Sequence, residues 1–311
     1  MTEELQTYRV GDAVITRIPE LALDEMPASY LYPTAAPDTA KAAGLSLNPG
    51  SYDARNDFFR MSVHAWVVRT PRHTFLIDAA SGNGKDRPDM PVFGNLAEPF
   101  LERLALAGVS PEGVDAVLLT HLHVDHVGWN TRKVDGRWVP TFPNAAYLFS
   151  GREKAYVSSV FGGDGRDEAI RAAAELGPMA AKPYAGFYAD SLAPVIEAGL
   201  GREIVVNGYD VMEGFAFHPT PGHSIDHASI SLVSKGERAL FWGDVMHNPV
   251  QFAHPEWNSV FCEFPEAARR SRDWAVAHAA DTDSLVLTTH FAETSAGRVT
   301  RNGNGFAWQF V

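Results

Sequence analysis

One cysteine, Cys262, stands in 311 residues. It excludes an internal disulfide framework and suits a reducing compartment, so a cytoplasmic protein is expected. Cys262 itself reads as a small, partly buried side chain rather than a nucleophile. No apolar run reaches the ~18 residues that a membrane-spanning helix needs. The acidic start, Met1-Thr2-Glu3-Glu4-Leu5, lacks the apolar stretch of a signal peptide. Basic residues are also scarce: Lys and Arg total 26 against 38 Asp and Glu, a net charge of −12. That balance disfavours polyanionic partners, nucleic acid above all. No internal repeat stands out. The hydrophobic content of 45% is ordinary and supports a core that needs no staples.

What the chain does have is Thr120-His121-Leu122-His123-Val124-Asp125-His126, three histidines and a carboxylate within six residues. It follows the apolar run from Val114 to Leu119, which reads as a buried strand, so the cluster lies where a strand ends. Imidazole and carboxylate suit a borderline divalent ion such as zinc. Four such groups so close in sequence crowd a single tetrahedral ion, which implies a second ion and further ligands. Those ligands are present as His223 in Pro-Gly-His-Ser, Asp244 in Trp-Gly-Asp and His290 in Thr-Thr-His. Each follows a strand-like run, the pattern of a site built along one edge of a sheet.

These five elements, in this order, resemble the metallo-β-lactamase superfamily of dinuclear metallohydrolases, over about residues 63–290. Within it the chain is most similar to the branch of the N-acyl-homoserine lactonases and methyl-parathion-hydrolase-like enzymes. The resemblance implies an α+β fold, a four-layer αββα sandwich. It implies His121, His123 and His223 on one metal, Asp125, His126 and His290 on the other, and Asp244 bridging them. Asp78, at the end of the strand Thr74–Asp78, would support the metal loop without binding metal. Aspartate at 244 argues against the true β-lactamases that carry cysteine there. Lactonases of this branch place a tyrosine three residues after the bridging aspartate, where this chain has His247.

Along the chain, Tyr8–Ile18 reads as a hairpin. Residues 19–50 read as an irregular, proline-rich arm, with Pro49 near its end, apolar enough at Met26, Tyr30, Leu31 and Tyr32 to cover a site or meet a second copy in a homodimer. Phe59–Val68 and Thr74–Asp78 read as paired strands, and Asn95–Ala107 as a helix capped by Asn95. Asp135-Gly136 marks a tight hairpin. Residues 151–201 read as a helical insertion that builds a pocket wall. Glu203–His218 reads as a strand pair, His227–Phe241 as a hairpin at Lys235-Gly236, and Glu266–Ala280 as a helix with Ala267, Ala268, Trp274 and Ala277 inward. The whole, 1–311, is expected to be one domain.

Two divalent ions, zinc first among them, can share a hydroxide and polarise a substrate oxygen, so no serine or cysteine nucleophile is required. Asp125 can orient or accept a proton, and His247 can donate a hydrogen bond or a proton. Phe58, Phe59, Trp66, Trp129, Phe252 and Trp257 are the aromatics nearest to cleft-facing loops. They point to an uncharged, moderately hydrophobic small molecule: a lactone, carboxylic ester or phosphotriester. A thioesterase of glyoxalase-II type normally carries a basic C-terminal patch, and the tail offers only Arg298 and Arg301. An iron-dependent oxidoreductase relative would carry glutamate in place of His123. A non-catalytic metal-binding, receptor-like module would have lost ligands, and all seven positions are filled.

Overall fold

A computed structural model of the chain describes residues 5–48, 50–303 and 305–311. Pro49 and the first four residues, on which two of the sequence expectations fall, lie outside the described residues. The chain divides into two compact units. The first comprises the residues up to Leu21, Val63–Ala174 and Pro183–Val205; the second comprises Ala22–Ser62, Glu175–Lys182 and Val206–Val311. Among the described residues no helix is long and apolar enough to cross a membrane.

One sheet contains β1 (Thr7–Val10), β2 (Ala13–Pro27), β4 (Phe58–Arg69), β5 (Thr74–Ile77), β6 (Ala116–Leu118), β9 (Ala146–Ser150) and β10 (Gly201–Ile204), paired in that order, with β3 (Tyr52–Asp53) alongside β4. A separate ribbon, β7 (Thr131–Val134) and β8 (Arg137–Pro140), turns at Asp135 and Gly136, both with positive φ. Its two central residues meet the demand of the tight hairpin read from the sequence. β5 and β6 run parallel, with Ile77 opposite Leu118, so the residues just past both strands emerge side by side. Between β9 and β10 come helices Gly151–Gly162, Arg166–Ala174 and Ala193–Glu197. Ser150 caps the first by accepting from the backbone N–H groups of Arg152 and Glu153.

The segment 188–192 of this insertion is fastened by buried charge. Arg87 donates to both carboxylate oxygens of Asp190, at 2.7 and 2.8 Å. Lys85 lies over the Trp138 ring at 3.9 Å and donates to Thr131 Oγ1 at 2.9 Å. Burial pushes the Lys85 ammonium down to about 8, against the pull of Asp190.

The second unit carries β11 (Asp210–Met212), β12 (Phe215–Pro219), β13 (Ala228–Ser234), β14 (Glu237–Phe241), β15 (Leu285–Leu287), β16 (Ala296–Asn302) and β17 (Gly305–Phe310), paired in sequence order. All neighbours are antiparallel except β14 and β15, which run parallel with Phe241 opposite Leu287. The helix Pro265–Asp281 buries Ala275, Val276 and Ala279 against Trp242, Val286 and Phe291. Its inner face also includes the buried Ser271 and Arg272, whereas Trp274 is 37% exposed, contrary to the inward placement expected. Arg272 takes that inner position by donating to the Val245 and Pro255 carbonyls and to Asn258.

Three further sequence expectations are corrected. The arm from 19 is not irregular at first, because β2 continues to Pro27, and a helix spans Pro37–Gly44. Pro19 is tolerated within β2 because the pairing with β1 stops at Thr16, so its missing N–H leaves no gap in that ladder. The helix expected from Asn95 begins at Phe100. Pro99 disfavours helical backbone at the residue before it, and Asn95 itself has φ +53°. The pair read over Glu203–His218 is split, since β10 joins β9 in parallel while β11 and β12 form the hairpin. A helical crossover returns a strand parallel to the one that preceded it.

One buried carboxylate organises the loop after β5. Glu20 accepts from Ser81 N at 2.7 Å, Gly82 N at 2.9 Å and Trp129 Nε1 at 2.6 Å. Gly128, in the loop that follows His126, packs against this one: a Cβ there would lie 1.8 Å from the Ser81 carbonyl oxygen, so only glycine allows this approach. Each orphaned buried donor costs about 1–3 kcal/mol. Glu20→Ala is therefore expected to lower the unfolding free energy by about 3 kcal/mol or more, read by urea denaturation. A loss under about 1 kcal/mol would show that the three donors find other partners.

Candidate metal centre

In the first unit, the parallel pair β5 and β6 sets Asp78 beside Thr120. Asp78 accepts from Thr120 N at 2.8 Å, from Thr120 Oγ1 at 2.9 Å and from His126 Nδ1 at 2.9 Å. The Thr120 hydroxyl has one proton, and it goes to this carboxylate. Its contact with His121 Nδ1 at 3.0 Å must then be donated by the histidine. Both imidazoles are thereby fixed as the Nδ1–H tautomer, with the Nε2 lone pair available to a cation. The Asp125 carboxylate lies 3.9 Å from His126 Nε2. The rings of His123 and His126 stand 4.5 and 4.0 Å from that of His121, centroid to centroid. His121, Asp125 and His126 are buried, and His123 is half-buried.

In the second unit, Asp244 and His290 each come three residues after the paired ends of β14 and β15, Phe241 and Leu287. Register alone therefore brings them together. His290 Nε2 lies 2.9 Å from Asp244 Oδ2, and His223 Nε2 lies 3.1 Å from the same oxygen. Gly222 carries His223 on a turn that packs against the helix backbone: a Cβ there would meet Ala268 N at 2.0 Å, and its φ is +126°. His290 Nδ1 stands 3.0 Å from the Ser62 carbonyl, which can only accept, so Nδ1 carries the proton.

This geometry tests whether the residues suit a divalent ion. A neutral His290 with its proton on Nδ1 turns a lone pair toward a carboxylate oxygen at 2.9 Å, two acceptors facing each other. A cation shared by the two resolves that repulsion. The braced Nε2 atoms of His121 and His126 beside Asp125 form the corresponding nitrogen and oxygen donor set of the first unit. Both sets fit zinc and its neighbours in the divalent series.

His247 belongs to the second group. Its Nε2 lies 3.5 Å from Asp244 Oδ2 and 3.3 Å from Ser259 Oγ, and its ring stacks on His290 at 9° and 5.3 Å. One ligand atom from each of His223, Asp244 and His247 lies within 4.8 Å of the others. Burial lowers the His247 pKa and favours the neutral ring. His227, four residues after His223, accepts the Asp244 backbone N–H at 2.9 Å and so holds the loop that presents the carboxylate. The expected pocket aromatics Phe59, Trp66, Trp129 and Trp257 are buried, while Phe58 and Phe252 are half-buried. Trp129 stacks on Phe100, and Trp257 packs on Tyr32. Sequence reasoning missed Glu20, Ser62, Ser259 and Gln251. Ser62 acts through its carbonyl, and Gln251 through a side-chain oxygen that accepts the His247 N–H at 2.7 Å. Neither role leaves a residue-type signal.

A family model described as the metallo-beta-lactamase superfamily matches residues 59–290. A ribonuclease Z of Mycobacterium sp. (strain KMS) is 25% identical over 254 residues, which cover 75% of this chain and 79% of that protein. The solved structure of hydrolase AbOPH, in the beta lactamase superfamily, aligns with a TM-score of 0.77 at 23% identity, over 100% of this chain and 98% of the other. AidC, a dizinc quorum-quenching lactonase solved with a product, aligns with a TM-score of 0.74 at 19% identity, over 99% and 97%. These alignments establish the α+β fold that the motif resemblance implied.

Because Asp78 braces two imidazoles at once, Asp78→Ala is expected to weaken zinc binding about 10–100-fold, measured by competition with a chromophoric chelator. Affinity equal to that of the unmodified chain would mean that the brace does not set ligand strength.

Proposed function

The chain is a metal-dependent hydrolase of the metallo-beta-lactamase superfamily, and from that premise we propose that it opens a lactone or carboxylic ester, with phosphotriesters as the next class. Its substrate in this reading is an uncharged, moderately hydrophobic small molecule. The observation that carries it is that the imidazoles of His121, His126 and His290 are braced at Nδ1, which leaves Nε2 turned to where a cation would sit. The fold likeness to a dizinc lactonase supports the choice of bond.

In this reading His121, His123 and His223 hold one ion, Asp125, His126 and His290 hold the other, and Asp244 serves both. Zinc is the metal we assign. When bound, such ions would supply a water acidified toward neutrality and positive charge for a substrate oxygen. Asp125 accepts a proton as the water attacks. His247, neutral and buried, donates its Nε2–H toward the carboxylate side of the site, in place of the tyrosine phenol that the lactonase resemblance leads one to expect. No thiol or hydroxyl of the chain becomes acylated. The ribonuclease Z relatives favour a second reading, a phosphodiesterase acting on RNA. The net charge of −12 weighs against it, because polyanion binding draws on clustered cations.

The test joins metal analysis to a substrate panel: an acyl-homoserine lactone, p-nitrophenyl acetate, a methyl phosphotriester and a structured RNA. About two zinc ions per chain are expected from the donor count. Lactone or ester turnover should fall at least ~10³-fold in Asp244→Ala. Turnover of RNA alone would favour the second reading, and full activity in Asp244→Ala would overturn the mechanism. We also infer a homodimer through the arm at 19–50, where Tyr30 is 52% and Leu45 60% exposed. Light scattering should give twice the chain mass of 33.9 kDa, and a concentration-independent monomer would sink that inference.

A further inference from the structure

The brace on His223 differs in kind from the others. His126 is held by a carboxylate, His121 by a hydroxyl and His290 by a carbonyl, all oxygen acceptors. His223 Nδ1 instead faces the Cys262 sulfur at 3.8 Å. Sulfur is a weak acceptor. Cys262 is fully buried, and its Sγ also lies 3.5 Å from Ser259 Oγ. That hydroxyl in turn contacts His247 Nε2 at 3.3 Å, so one short chain of side chains runs from His223 to His247. The backbone fixes the sulfur where it is. Glu263 N donates to the His223 carbonyl at 3.0 Å, Phe264 N to the Gly222 carbonyl at 2.8 Å, and Cys262 N to the Ser259 carbonyl at 3.1 Å. The turn that carries His223 and the turn that carries Cys262 are thus zipped together.

We infer that Cys262 is a positioning residue: its sulfur holds His223 as the Nδ1–H tautomer with Nε2 turned to Asp244, and so sets how tightly the ion on His223 is held. The inference rests on the two-ion reading above and adds to it an asymmetry. One ion depends on a ligand whose brace is sulfur, and the other does not. Taking the acceptor away removes the sulfur contact at Nδ1 and lets the ring tilt. Loss of such an outer partner weakens metal binding about 10–100-fold. Cys262→Val keeps the volume and removes the acceptor. Cys262→Ser restores an acceptor, now oxygen.

Each chain, full length, is titrated with zinc against a chelator, and the cobalt-substituted forms are compared by visible absorption. In Cys262→Val one of the two equivalents should weaken about 10–100-fold while the other holds, and the cobalt bands of one site should shift. Cys262→Ser should recover most of the lost affinity. Two equivalents bound by Cys262→Val as tightly as by the unmodified chain would overturn this inference alone, as would equal weakening of both. An unmodified chain that takes up fewer than two ions would overturn the two-ion reading, and the inference with it.

Discussion

A neutral imidazole offers a lone pair from one nitrogen at a time, and the other nitrogen must be kept as N–H. A histidine ligand buried in a protein therefore needs an acceptor at its back, or its tautomer and tilt are undefined. Much of the structure around the proposed metal ligands answers that need. In the first unit a single carboxylate, Asp78, serves His126 directly and His121 through the one hydroxyl proton of Thr120. In the second, a backbone carbonyl from β4 serves His290, and a thiol serves His223. The proposed ligands are distinctive in type, while the residues that brace them are drawn from whatever each turn can offer.

The braces are themselves costly to place, which explains the buried polar loops around them. Asp78 follows β5 at φ +57°, and the turn there is held by the Thr120 and His126 contacts to its carboxylate. The loop that follows is tied down by Glu20, whose carboxyl pKa burial raises while three N–H donors pull it back. Those donors are the backbone of Ser81 and Gly82 and the indole of Trp129. Trp129 lies three residues beyond His126, so the same carboxylate secures the loop before the His121–His126 cluster and the loop after it. Removing water from such a carboxylate is unfavourable unless its acceptor sites are filled. The cost and the rigidity have the same origin.

The legible parts of the sequence were those where a residue type answers directly to chemistry or to backbone geometry. His121, His123, Asp125 and His126 were visible because imidazole and carboxylate cluster so densely there. Their delivery from strand ends was visible because β6, β14 and β15 are short apolar runs. Asp135-Gly136 and Lys235-Gly236 foretold turns that the structure places at positive φ. What failed to show was what depends on partners far away in sequence. Pro19 looked like the start of an irregular arm because a strand that has run past its β1 partner leaves no local mark. Trp274 looked like core because aromatic residues usually are, yet Arg272 took the inner face by satisfying its guanidinium on loop carbonyls. Ser62 and Cys262 contact histidines 228 and 39 residues away, one through its carbonyl, and no periodicity encodes that.

The choice of substrate turns on charge more than on fold. Curated relatives at 25% identity are ribonucleases, and the lactonase likeness rests on fold at lower identity, so neither settles which bond is cut. A chain that grips RNA must supply clustered cations, because phosphate contacts provide most of the affinity and all of its salt dependence. Here several of the 26 basic residues are committed internally: Lys85 and Arg87 to Asp190, Arg272 to the loop carbonyls, Arg103 to the carbonyls of Pro19 and Glu20. A buried guanidinium cannot meet a phosphate. His247 adds to the argument from the other direction. Placed beside Asp244 as a neutral ring, it can offer one N–H to a single carbonyl-like oxygen, but it cannot neutralise the persistent charge of a phosphodiester. The sequence composition and this histidine thus favour an electrically neutral ester or lactone.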